Sequence, residues 1–383
     1  MRVLHVYRTY FPDSQGGLEE VIRQICSNCQ PLGIESRVMC VSRKTDKMVV
    51  RRTEARVYRS QQTFEVASCN VSLKAFSLYK RLASWADVVH YHFPWPFADL
   101  LHMASRIKRP SVLTYHSDIV RQQLLAKLYN PLMTRFLRSV DRIVCTSPNY
   151  FATSDVLSGL GSKVDVVPIG LDPSTYPEVS DDEVEVVRQQ YGKDFFLFVG
   201  VLRYYKGLHI LLDAIKNAPY NVVITGSGPT ERELKKQAAK LRLNNVTFTG
   251  YVPDTIKVAL FKLSRGIVFP SYLRAEAFGV TLLEGAMYGK PLISTEVGSG
   301  TSHVNVDGET GLVVTPGSVK DLRHAMDQLY YRPEMARLMG QRARQRYEQL
   351  FTGSLMGERY MRIYNELTGQ SSAEPPISVS AST

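Results

Sequence analysis

PSYLRAEAFGVTLLEGAMYGKP, residues 270–291, carries two glutamates, Glu276 and Glu284, with seven residues between them. The apolar run 266–269 ahead of it predicts a strand, Pro270 breaks that strand, and a helical pattern runs from Gly279 to Gly289, just before Pro291. Glu276 then lies in the loop and Glu284 one turn inside the helix. Between them the amides of Gly279, Val280, Thr281 and Leu282 are the free donors of a helix N-terminus, which attracts a phosphate by hydrogen bonding and by dipole. Two glutamates at this spacing are more often solvated surface charges. The strand–loop–helix context favours a site instead, because open α/β sheets bind ligands at strand ends.

Outward from this stretch, the totals set the frame. A chain of 383 residues exceeds one ordinary core, so two domains are expected. The net charge of +11 sits mostly in the first 180 residues and calls for an anionic partner: nucleic acid, phospholipid or a phosphorylated small molecule. No uninterrupted apolar run reaches the ~18 residues of a membrane span. The opening MRVLHVYRTYFPD lacks the apolar core and cleavage site of a signal peptide. Five cysteines, an odd number, fit a reducing compartment, and a cytoplasmic location is expected. Cys26 and Cys29 form a CxxC late in a helical pattern, where packing is the expected role.

The chain opens with a strand, a loop and an amphipathic helix, and Gly16 and Gly17 just before that helix let a phosphate approach backbone amides. A Gly-Gly turn without that purpose is commoner until other phosphate signals join it. Further strands are expected at 36–41, 86–91, 111–115, 142–146 and 163–167, with a basic patch over 43–59. Short apolar runs separated by helices imply a parallel sheet. His116 follows the strand 111–115 and, with Ser117 and Asp118 after it, is the histidine best placed for function. His90 and His92 flank a strand end, where packing outweighs a metal pair because no third ligand stands at usable spacing. The stretch 119–140 mixes Arg121, Lys127, Arg135 and Arg138 with apolar residues around Pro131, a pattern that suits either an anionic membrane surface or an ordinary buried helix.

Acidic PSTYPEVSDDEVE, residues 173–185, loses the apolar period and marks a linker. The expected boundaries are a first domain over 1–172, a linker over 173–190, a second domain over 191–355, a helix over 356–369 crossing back to the first domain, and a disordered tail over 370–383. In the second domain the GSGP of 226–229 is a weak dinucleotide signal, since Glu231 stands where a third glycine belongs. Arg203 and Lys206 at a strand-to-helix turn are placed to neutralise a diphosphate.

In this order, GGLEEVI (16–22), DVVHYH (87–92), TYHSDI (114–119), PIGLD (168–172), FVGVLRYYKG (198–207), GSGP, GYVPD (250–254), EAFGVTLLE (276–284) and DGETGLVV (307–314) resemble the retaining glycosyltransferases of family 4, or glycosyltransferase group 1. The resemblance covers nearly the whole chain and is nearest to bacterial O-polysaccharide mannosyl- and rhamnosyltransferases. It implies an α/β chain of GT-B fold, two Rossmann-like parallel-sheet domains facing each other across a cleft. It also implies transfer of a hexose from a nucleotide-diphosphate sugar, with GDP-mannose or GDP-D-rhamnose as best donor, to a lipid-linked saccharide acceptor in O-antigen synthesis.

By the same resemblance, Glu276 holds donor-sugar hydroxyls, Glu284 the ribose hydroxyls, and Arg203 and Lys206 the departing diphosphate. His116 lies beside sugar and acceptor, and Tyr251 and Val252 lie beside the base. Phe278 and the amides from Gly279 to Leu282 complete the donor side, with Gly16 and Gly17 opposite, and Asp118 and Arg121 stand on the acceptor side. One departure stands out: the family's arginine after the glycine matching Gly200 is Val201 here, with Arg203 two positions later. Retention by front-side attack is implied, and no metal is expected, since no Asp-x-Asp stands at a strand end. Peripheral attachment to the cytoplasmic face of the inner membrane through the basic first domain is expected, and a nucleic-acid partner is not. The competing readings are a UDP-sugar transferase of the same fold, a nucleotide-sugar epimerase that needs no acceptor, and a basic membrane- or nucleic-acid-binding module.

Overall fold

A computed structural model describes residues 1–44, 46–66, 69–105, 107–119 and 123–370, except the side chains of 123–128. Two open sheets carry the fold. The first runs in the order Val164–Val166, Arg142–Cys145, Ser111–Tyr115, Val88–Phe93, Arg2–Val6, Glu35–Ser42, Arg56–Gln61, Val49–Arg51, parallel throughout except for the last, antiparallel edge strand. The second runs Val246–Gly250, Val222–Thr225, Phe196–Val199, Gly266–Phe269, Leu292–Thr295, Gly311–Val314, all parallel. Both central strands are buried on both faces, as continuous apolar runs such as Phe196-Leu197-Phe198 require.

Strand order reverses once in each sheet. In the first, the chain winds outward from Arg2–Val6 and resumes on its other side at Val88–Phe93. In the second, the reversal lies between Phe196–Val199 and Gly266–Phe269. Loops leaving the strands at such a point diverge and open a crevice. Gly16 and Gly17 follow one of these four strands, His92 is the next-to-last residue of another, and Arg203, Lys206 and Glu276 follow the remaining two.

The basic patch of 43–59 is partly sheet. Val57 alternates into the core and Arg59 is buried, ion-paired to Asp13 at 2.7 Å and to Asp46 at 3.0 Å. The stretch expected as a linker over 173–190 holds a helix, Asp181–Tyr191. Ser180 and Glu183 close a capping box at its start, a local signal that outweighs its weak apolar period. Cys26 and Cys29 are buried free thiols in the helix Gly17–Cys29, and burial pushes Cys29 up to about 12.

Two chain crossings join the halves and hold each other: Leu171 N–H donates to Phe351 O at 2.9 Å, and Gly353 N–H donates to Leu171 O at 2.7 Å. The final helix, Gly353–Thr368, then packs along Gly17–Cys29 of the first half. A Cβ on Gly357 would lie 2.7 Å from the carbonyl oxygen of Asn28, so the two backbones meet only over glycine. Replacing Gly357 by Leu should therefore lower the unfolding free energy by about 2 kcal/mol or more, measured by urea denaturation, whereas an unchanged midpoint would contradict this packing.

Candidate active site

Glu276 sits in the loop between Gly266–Phe269 and the helix Val280–Met287, which starts and stops within two residues of the predicted bounds. Its carboxylate forms an ion pair with Lys206 and accepts from Ser271 Oγ at 3.1 Å. Lys206 also lies over the Phe269 ring, 4.5 Å from its centroid. Gly207, at φ 69, ends the turn that presents Lys206, and a Cβ there would lie 2.0 Å from the Pro270 carbonyl oxygen. Only glycine lets these two loops touch.

Glu284 is buried one turn into its helix. Its Oε1 accepts from Tyr176 at 3.2 Å and from Lys257 at 3.1 Å. Burial acts to lower Lys257, but Glu284 and Asp254 outweigh it and hold the ammonium above its ordinary value. Neither Tyr176 nor Lys257 was expected from the sequence; their meeting with Glu284 depends on tertiary placement alone.

At the helix start, Gly279 has φ 88 and Thr281 donates its hydroxyl to Val199 O at 2.9 Å. Leu282 departs from expectation. Its amide donates to Gly279 O at 2.9 Å and its side chain is fully buried, so the donors facing the cleft end at Thr281. Phe278 is buried edge-on to Phe351. Across the gap stands Gly17, where a Cβ would lie 4.0 Å from Val280 Cγ2. Gly16 is the more cramped of the two: a Cβ there would meet Glu19 Oε2 at 2.8 Å. That carboxylate accepts from Thr9 at 2.8 Å and Ser14 at 2.7 Å, bracing the loop.

Two connected cavities fill the cleft. One, of 390 Å³, gathers His116, Arg203, Lys206, Glu276, Phe278 and residues 279–281 against Gly16 and Gly17. The other, of 220 Å³, shares those glycines and Thr281 and runs to Tyr251, Val252, Lys257 and Glu284. Tyr251 is largely exposed, and its hydroxyl spans the cleft to Gln15 Oε1 at 2.9 Å. Asp118 is drawn elsewhere. Arg274 of the second half donates to it at 3.0 Å and Tyr115 at 2.9 Å, which makes it a contact between the halves. Arg121 lies outside the described residues.

His116 ends a buried row of imidazoles. His5 Nδ1 and His92 Nε2 are 3.1 Å apart, as are His92 Nδ1 and His116 Nε2. His90 lies beside them, with Thr114 Oγ1 and Tyr364 OH each 2.7 Å from its ring nitrogens. The sequence showed no third ligand to join His90 and His92. The structure supplies one: nitrogens of His5, His90 and His92 all lie within 4.8 Å of one another. Strand pairing, invisible in chain spacing, brings them together. The ring nitrogens are nevertheless engaged with each other and with hydroxyls, the satisfied state of buried imidazoles.

Residues 180–346 match the family described as Glycosyl transferases group 1, and residues 15–175 match Glycosyltransferase Family 4. The chain is 53% identical over 352 residues to D-rhamnosyltransferase WbpZ of Pseudomonas aeruginosa, covering 92% of each chain. It is 46% identical over 369 residues to O-antigen chain mannosyltransferase C of Escherichia coli, covering 96% of this chain and 99% of that one. Among solved structures, sucrose-phosphate synthase from Thermosynechococcus elongatus superposes with a TM-score of 0.79 at 19% identity, over 97% of this chain and 100% of the other. The two sheets across a cleft are thus the GT-B architecture. The protein belongs to the family 4 (group 1) glycosyltransferases and is a glycosyltransferase.

The imidazole row makes acid stability a test of this geometry. Burial lowers His5 and His116 to about 3 and places His90 and His92 well below the ordinary histidine value. Below pH ~6.5 the unfolded chain takes up protons that the folded chain refuses, so stability is full above that pH and falls toward pH 3. Each such histidine contributes a slope of up to about 1.4 kcal/mol per pH unit. Denaturant unfolding at pH 7.5, 6 and 5 should show a steep loss that becomes shallower by one histidine's share when His116 is replaced by Asn. A pH-independent midpoint would contradict a neutral buried row.

Proposed function

We propose that this enzyme transfers mannose or D-rhamnose from a GDP-linked donor to a lipid-linked saccharide acceptor in O-antigen synthesis, with retention of anomeric configuration. The observation that carries the chemistry is the Lys206–Glu276 pair at one strand reversal, standing opposite Gly16 and Gly17 at the other. The choice of sugar and pathway is supported by the names of the two relatives at 53% and 46% identity.

In this reading the nucleoside occupies the 220 Å³ cavity, with the ribose on Glu284 and the base beside Tyr251 and Val252. A carboxylate with two oxygens suits two vicinal hydroxyls. The diphosphate lies between Gly16, Gly17 and the amides of 279–281, and the sugar hydroxyls meet Glu276. As the donor enters, its phosphate oxygens compete with Glu276 for the Lys206 ammonium. Lys206 then stabilises charge developing on the leaving group, preorganised by its ion pair and the ring beneath it.

The acceptor hydroxyl attacks the anomeric carbon on the face from which the diphosphate departs. The carbon–oxygen bond to the diphosphate breaks, and a departing phosphate oxygen takes the hydroxyl proton. Neutral His116 holds a sugar or acceptor hydroxyl by hydrogen bonding rather than by charge. Lysine and helix amides supply the positive potential that a divalent ion supplies in other transferases, so activity persists in chelator. The surplus cations of the first half support attachment to an anionic lipid surface, and no helix of the described residues is long and apolar enough to cross a membrane.

Incubation with GDP-mannose or GDP-D-rhamnose should yield a transferred sugar only when acceptor is present. Epimerised donor formed without acceptor would overturn the transfer reading. Glu276→Ala and Lys206→Ala should each lower kcat/KM by about 10²-fold or more with melting temperature retained, and full activity in either would refute the site. Flotation with anionic vesicles should weaken as salt is raised, whereas absence of binding at low salt would reject membrane attachment.

A further inference from the structure

Three imidazoles climb one face of the first sheet toward the cleft. The strand register sets His5 beside His90 and His92 beside Thr114. Residues two apart on a strand share a face, so His92 stands one step beyond His90. His116 stands one step beyond Thr114, its amide continuing the ladder to Phe93 O at 3.1 Å. The row His5, His92, His116 therefore crosses three adjacent strands on a diagonal, and of the three only His116 lines the 390 Å³ cavity.

The row has a fixed count of hydrogens. His5 Nδ1 lies 3.1 Å from His92 Nε2, and His92 Nδ1 lies 3.1 Å from His116 Nε2. At that separation each contact takes one hydrogen between its two nitrogens. A neutral imidazole carries one N–H and one lone pair, and burial keeps all three rings neutral. If His92 holds its hydrogen on Nδ1, it donates to His116, whose own hydrogen must then lie on Nδ1, and it accepts from His5 Nδ1. If it holds the hydrogen on Nε2, the other two must do the same. Any mixed arrangement sets two hydrogens or two lone pairs face to face away from water, where an unmade hydrogen bond is most costly.

His90 leaves this count intact. Its ring nitrogens lie 2.7 Å from Tyr364 OH and from Thr114 Oγ1, hydroxyls that rotate to suit either tautomer. His116, with Nε2 engaged by His92, has Nδ1 left for a ligand in the cavity.

We propose that His5 and His92 are positioning residues for His116: the row holds one tautomer throughout, and these two rings, which do not line the cleft, decide whether His116 Nδ1 presents an N–H or a lone pair to a sugar or acceptor hydroxyl. The cleft thus meets its ligand with a hydrogen-bonding sense set in advance from inside the sheet. A lone imidazole would divide its hydrogen between both nitrogens. The inference rests on the glycosyl-transfer reading for the identity of that hydroxyl.

The test is nuclear magnetic resonance of the full-length protein labelled with ¹⁵N in its histidines, at about pH 7.5, above the ordinary histidine value. Two-bond ¹H–¹⁵N correlations tell which ring nitrogen carries the hydrogen. His5, His92 and His116 should all show it on Nδ1, or all on Nε2. His5→Phe should shift His116 to an average of both forms and lower kcat by about tenfold, the worth of one hydrogen bond in rate, without weakening GDP binding. Tyr364→Phe, which removes a partner of His90 alone, should leave the His116 signals in place. A mixed set of tautomers in the unaltered protein overturns the proposal, and that measurement decides even where His5→Phe fails to fold. So does a folded His5→Phe variant with unchanged His116 signals, or a Tyr364→Phe variant that moves them as far. An aligned row in a protein that transfers no sugar would count against the transfer reading and leave the coupling standing.

Discussion

Two loops that hold opposite charges can meet only where no side chain stands between them, and Gly207 provides that place. Its α-carbon rests against the Pro270 carbonyl so closely that a Cβ would lie 2.0 Å from the oxygen. Lys206 is thereby delivered to Glu276, and the second sheet presents a cation and a carboxylate at its strand reversal. An ion pair held partly out of water, over the face of Phe269, is oriented before any ligand arrives. Orientation in advance gives such groups more effect on a developing charge than mobile surface side chains have.

The first half is organised to match. Its own reversal places Gly17 opposite Val280 and sets His92 near the end of the neighbouring strand. His92 passes the constraint on to His116 through a ring-to-ring contact, and the last helix reaches the same layer through Tyr364 on His90 and Tyr360 on Thr114. The chain thus finishes in the domain where it began, with its terminal helix packed behind the cleft wall. Arg274 on Asp118 and Tyr251 on Gln15 join the halves at the cleft edges. Contacts of this polar kind can exchange with solvent as a cleft opens and closes.

What the sequence disclosed follows the range of the interactions involved. The strand, loop and helix over 266–287 were legible because strand, proline break, glycine and helix lie within one short stretch and obey local rules. The parallel sheets were legible for the same reason. Lys257 and Tyr176 were not, because they join Glu284 only through tertiary packing, and no spacing in the chain announces them. The third histidine was hidden by strand pairing between Arg2–Val6 and Val88–Phe93. Leu282 was misplaced by one step: the helix tightens at its start, its amide turns to Gly279 and its side chain to the core. The helix at 181–191 was hidden because its sequence is largely acidic, although its capping box was in plain view.

The central claim is that both strand reversals form one nucleotide-sugar site. Amide hydrogen exchange of the unaltered enzyme with and without GDP tests it most directly, since it reports on both halves at once. The account predicts slower exchange at 16–20, in the loop 200–207 and at 276–284 together, at GDP concentrations that also saturate a calorimetric titration. Protection confined to one half, or lying outside these three segments, would contradict it.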